Sequence, residues 1–133
     1  MGDKSAIEWT ATFHPDGRVT PGATWNPIRG TKGLWHCTKI SPGCLHCYAE
    51  RLNVRRGGPR YLMGADTLRL DETILTQPLR WKRPRTIFVC SMTDLFMELV
   101  PDLWIGRLFG VMAEAHWQRF IVLTKRAERL YKW

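Results

Sequence analysis

The chain has 133 residues, 44% of them hydrophobic and 24% charged, the size and balance of one ordinary globular domain over 1–133. No stretch approaches the roughly 18 to 20 apolar residues that span a bilayer, and the polar start, Met1 to Trp9, lacks a signal peptide's apolar core. The sequence therefore predicts a cytoplasmic protein with no membrane partner, and its formal charge of +8 points to nucleic acid, another anionic partner or a solubilising surface.

The first thirty-odd residues read as irregular. His14-Pro15-Asp16-Gly17 and Pro21-Gly22 are turn signals, and Asn26-Pro27 and Gly30 continue the loop character. Trp9 and Trp25 carry enough apolar area to pin this segment to the body of the domain. After a cysteine-bearing stretch, Tyr48 to Asn53 tolerate a helix, which Gly57-Gly58-Pro59 stops. Leu68 to Arg85 are ambiguous, broken by Pro78 and Pro84.

The second half is clearer. Thr86 to Cys90 is a short apolar run rich in β-formers, as in a strand buried on both faces. A helix is predicted over Pro101 to His116, with Pro101 at the first helical position and Asp102 at the positive end of the dipole. Trp104, Leu108, Val111 or Met112 and Ala115 recur at helical spacing, as do Ile105, Phe109 and Met112. Phe120 to Thr124 is a second buried-type strand. Strand, helix and strand form a βαβ unit with parallel strands, so the fold class is α/β. Arg126 to Trp133 starts another helix-like stretch. Two parallel strands make a poor sheet. The chain reads as the front half of a longer domain, or as a small sheet completed by weak strands of the first half or by a partner protein chain.

The chemistry concentrates in Cys37-Thr-Lys-Ile-Ser-Pro-Gly-Cys44-Leu-His-Cys47, a C-x6-C-x2-C pattern. In a reducing compartment such cysteines read as ligands before disulfides. Cys44 and Cys47 can aim two sulfurs at one centre, and Pro42-Gly43 turns the chain so that Cys37 supplies a third. Three thiolates on a 4Fe–4S cluster leave one iron open to a small chelating molecule. The same sulfurs hold zinc if His36, His46 or Cys90 adds a fourth ligand, and ligand type alone does not choose between the metals. Three unligated thiols, or a Cys44–Cys47 disulfide, are the bland alternatives. Cys90 sits inside an apolar strand, where a cysteine is usually a small buried residue.

Five blocks stand in order: Ser5 to Thr10, Thr24 to Pro27, Cys37 to Glu50, Phe88 to Phe96 and Val122 to Arg126. Together they resemble the phage and prophage Gp-thirty-seven/Gp-sixty-eight family, of unknown function, and that family is similar to radical S-adenosylmethionine enzymes near the spore photoproduct lyase group. The resemblance implies the front half of a partial (β/α) barrel with a 4Fe–4S cluster on Cys37, Cys44 and Cys47. The open iron would chelate S-adenosylmethionine, whose reductive cleavage gives a 5′-deoxyadenosyl radical. Ser91, Thr93 and Asp94 fall where such enzymes face the methionine amine, and Lys125 sits after the next strand at the barrel mouth. The C-x6-C spacing departs from the C-x3-C usual in those enzymes, and Phe13 to Pro21 look inserted. Read without the resemblance, Ser91 to Asp94 cap a turn, Lys125-Arg126 is surface charge, and Trp104 and Trp117 are packing residues. A colder reading of the whole is a zinc-stabilised module that binds nucleic acid or protein without catalysis.

Overall fold

The computed structural model describes residues 4–30, 34–61 and 67–133; the first three residues of the polar start lie outside these. The strands and helices, in chain order, are β1 (Thr12–Phe13), β2 (Val19–Thr20), β3 (Ala23–Trp25), β4 (Ile28–Arg29), α1 (Tyr48–Arg55), β5 (Arg69–Leu70), α2 (Glu72–Leu75), α3 (Gln77–Arg80), β6 (Thr86–Val89), α4 (Asp102–Glu114), β7 (Arg119–Val122) and α5 (Ala127–Lys132). The central sheet has the order β3-β6-β7 and is parallel throughout. The protein is therefore α/β, as the sequence predicts. Two small antiparallel pairs, β1 with β2 and β4 with β5, flank it.

The β6–α4–β7 unit follows the prediction in order and type, but the second strand is corrected: β7 runs Arg119–Val122 and, at the edge of the three-stranded sheet, is half-buried and not buried on both faces. β6 is buried at every position. Ile105, Leu108, Val111 and Ala115 line the buried face of α4, and Trp104, Phe109 and Met112 pack at its edges. Pro101 stands just outside α4 as its extended N-cap, not as its first helical residue. α1 runs to Arg55, two residues past Asn53, and ends at Gly57, whose φ of +83° is the left-handed conformation glycine adopts without strain.

The irregular reading of the first thirty residues is corrected. They supply the third parallel strand, β3, which pairs along β6 with Trp25 opposite Val89. Three residues between Pro21-Gly22 and Asn26-Pro27 are too few to show a period, and Ala23 and Trp25 reveal themselves only by complete burial. Trp25 packs against Phe120 of the far strand and donates its indole N–H to the Ile74 carbonyl at 2.8 Å. Trp9 lies on Phe88, ring centroids 4.8 Å apart, so both tryptophans do anchor this segment.

The main core joins Trp25, Ile28, Ile87, Val89, Leu95, Phe96, Ile105 and Leu108. A smaller cluster, Trp35, Ala49, Tyr61 and Met92, lies under the cysteine segment, and Cys37 touches both. Among the described residues no helix is long and apolar enough to cross a membrane.

Candidate metal centre at the strand ends

The carboxyl ends of β6 and β7 converge on one cavity. The turn out of β6 begins at Cys90, which has φ +53°, an uncommon conformation for a residue with a Cβ. It is held there by its N–H to the Trp25 carbonyl (2.8 Å) and by Thr93 N–H donating to its carbonyl (3.3 Å). The left-handed step sends residues 91–94 back across the strand ends instead of onward with the sheet. Burial, helped by the nearby charges of Asp94 and Cys37, pushes the Cys90 thiol far up, so it stays neutral.

Ser91, Thr93 and Asp94 all line the cavity. Their side chains are nevertheless committed to the protein. Ser91 Oγ accepts from Asn26 Nδ2 at 3.0 Å, and Thr93 Oγ1 donates to the His36 carbonyl. Asp94 Oδ1 accepts from Phe96 N–H and Thr124 Oγ1; Oδ2 accepts from Lys125 N–H and Arg126 Nη1, at 2.7 to 3.2 Å across the four bonds. A carboxylate has about four lone-pair sites, so Asp94 is filled by the turns it joins.

The cysteine segment forms the facing wall. Pro42–Cys44 is a single 3-10 turn started by the extended Ser41, with Cys44 N–H on the Ser41 carbonyl at 2.9 Å. Cys47 is the extended N-cap residue of α1, and Arg51 N–H reaches its carbonyl. Cys37, Cys44 and Cys47 line the same cavity of about 210 Å3, together with Tyr48, Leu123 and Lys125. Their environments differ. Burial works against ionisation of Cys44, but the N–H groups of Ile40 and Ser41, the Ser41 hydroxyl and Lys125 outweigh it, and its pKa falls. Burial dominates at Cys37 and raises its pKa, opposed by Arg126 and the Asp94 N–H. Among the described residues, no three His, Cys, Asp or Glu side chains converge tightly enough to hold one metal ion.

Of the histidines considered as extra ligands, His36 is buried with its ring edge-on to Tyr61, and His46 is exposed. Sequence reasoning missed the second support of the site. Arg126, read as surface charge, is 6% exposed. It reaches Asp94, both carboxylate oxygens of Glu98, and the carbonyl and hydroxyl of Thr38. Two tyrosines were also missed. Tyr61 donates to the Met92 carbonyl and Tyr48 to the Ser91 carbonyl, so both phenols brace the 91–94 turn. Burial pushes the Tyr48 phenol up to about 12, which keeps it a donor. Tyr48 directly follows Cys47, and that adjacency was the available signal.

No curated protein and no solved structure matches the chain. The model of one family, described as "Protein of unknown function (DUF5131)", matches residues 4–133. The chain thus belongs to the DUF5131 family.

Proposed function

We propose that Cys37, Cys44 and Cys47 hold a 4Fe–4S cluster, and that the protein works as an S-adenosylmethionine-dependent radical enzyme. The observation that carries this reading is that the three thiols line one cavity at the carboxyl ends of parallel strands. Ligand sites of parallel α/β folds gather at those ends. The donor set suits the group: three sulfurs, one with its pKa lowered, line a single cavity. The βα order around the site is also what the opening part of a partial (β/α) barrel requires.

A cluster bound there would supply the electron for reductive cleavage of the sulfonium. The residues themselves position and shield. Tyr48 and Tyr61 fix the 91–94 turn, and Asp94 locks that turn to the one after β7. Pockets that enclose a drug-sized ligand run to roughly 300–1,000 Å3. The smaller cavity suits a metal group and leaves the exposed rim of Leu123 and Lys125 to meet most of the cofactor. Of the four residues predicted to contact S-adenosylmethionine, Lys125 is the one whose side-chain donors have no bond among the described residues; Ser91, Thr93 and Asp94 form the wall.

The test is purification without oxygen followed by iron, sulfide and zinc analysis. About four irons and four sulfides per chain are expected, as a cubane requires. A colourless protein with one zinc per chain would replace this reading with a zinc-stabilised binding module.

A further inference from the structure

We propose that the exposed face of α1 is a binding track for single-stranded nucleic acid that ends at the cysteine cavity. The inference rests on the reading of that cavity as the reactive centre only for where the track leads, not for the binding itself.

Tyr48, Arg51 and Arg55 stand at i, i+3 and i+7 and so share one face of α1. All three are exposed, while Ala49, Glu50 and Asn53 face inward. The stripe begins at the cavity, since Tyr48 lines it and its hydroxyl is fixed on the Ser91 carbonyl. Tyr48 as a whole is 43% exposed. Neither Arg51 nor Arg55 makes an ion pair or a side-chain hydrogen bond among the described residues. Glu50, the one acid between residues 34 and 61, is buried and already holds Lys39 and the Tyr61 N–H.

Elsewhere charge is matched locally: Arg18 with Asp16, Arg69 with Asp71, Arg107 with Glu72 and Arg129 with Asp102. The surplus behind the +8 charge is therefore left in part on the helix that borders the cavity. Lys125, exposed on the opposite lip, adds to it; its Cε comes within 3.6 Å of the position a Gly43 Cβ would take. Lys82, Arg83 and Arg119 also carry excess charge, but at the amino ends of β6 and β7, away from the cavity.

Unpaired guanidiniums in line with a fixed, half-exposed aromatic ring fit a single strand. Cations take the phosphates and the ring offers a stacking surface that any base can use. An acidic protein would use the cations and leave the ring without a role.

The test is fluorescence anisotropy of a labelled single-stranded oligonucleotide at 50 and 200 mM salt, with wild type, Arg51→Gln/Arg55→Gln and Lys82→Gln/Arg83→Gln. The first pair is expected to weaken binding about tenfold or more at low salt. It should also flatten the log–log salt dependence by about 1.4, two lost phosphate contacts on a single strand. The second pair should leave binding unchanged. Wild-type affinity in the first pair, loss confined to the second, or equal competition by polyglutamate would each overturn the proposal. Iron content measured on the same wild-type preparation separates the two readings. A chain that binds the strand yet holds no iron therefore contradicts the proposed enzyme and leaves the track standing.

Discussion

Arg126 Nη2 donates to both the carbonyl and the hydroxyl oxygen of Thr38, at 2.8 and 2.6 Å, and so ties the turn after β7 to the residue that follows Cys37. The same guanidinium reaches Asp94 on the turn after β6. Three segments far apart in sequence meet on one buried cation. Arg126→Gln should cost about 3 kcal/mol, because it leaves the Asp94 carboxylate buried without its ion partner. Chemical denaturation measures the loss. Amide exchange should quicken across residues 34–47 more than in α4. Uniform quickening would mean that Arg126 supports the domain and not the cysteine wall.

The four cysteines should separate cleanly by substitution. Cys44→Ala should remove bound iron, because two thiolates cannot hold what three share. Cys90→Ala should retain it, since that thiol is buried and held neutral. Iron and sulfide content after anaerobic purification decides. Iron retained in the first variant, or lost from a folded second variant, would contradict the ligand set.

Glu50 gives the protein an acid-side sensitivity. Burial opposes its charge, yet Lys39 Nζ at 3.0 Å and the Tyr61 N–H at 2.7 Å hold the carboxyl below its ordinary value. A carboxyl depressed in the folded state contributes fully above its unfolded pKa, about 4.3 for a typical glutamate. That contribution is lost as pH falls through the lower folded value. Glu50→Gln should therefore be less stable than wild type at pH 6, with the gap narrowing as pH falls below the ordinary carboxylate range. Urea midpoints across that range check it, and a constant gap would contradict the assignment.

Two glycines should respond in opposite directions. A Cβ on Gly58 would lie 2.5 Å from Asn53 Nδ2, and Asn53 is fully buried. Its amide holds both the Trp35 N–H and the Pro59 carbonyl, closing the small cluster beneath the cysteine segment. Gly58→Ala should cost about 1–3 kcal/mol. Gly110 lies within α4 with open space where a Cβ would stand, so Gly110→Ala should stabilise by about 0.5–1 kcal/mol. Thermal midpoints of the two variants give the comparison.

The β6–α4–β7 unit was legible because each element is long enough to show its period: four consecutive buried residues, then Ile105, Leu108 and Val111 on one helical face. β3 was not, because three residues between turn signals carry no period and their burial comes from β6 and the helices. The three cysteines stood out by their spacing, and Ser91, Thr93, Asp94 and Lys125 by their place just after the strands; all of them line the cavity. What their side chains do there was not legible. The filling of Asp94 depends on Thr124 and Arg126, some thirty residues away, and a buried arginine looks in sequence like any surface one.

The most direct measurement is the electron spin resonance spectrum of the anaerobically reduced protein, with and without S-adenosylmethionine. A cluster held by Cys37, Cys44 and Cys47 with one iron open should give a reduced 4Fe–4S signal whose shape changes when the cofactor is added. A signal indifferent to the cofactor, or no cluster signal from a folded protein, would contradict the account.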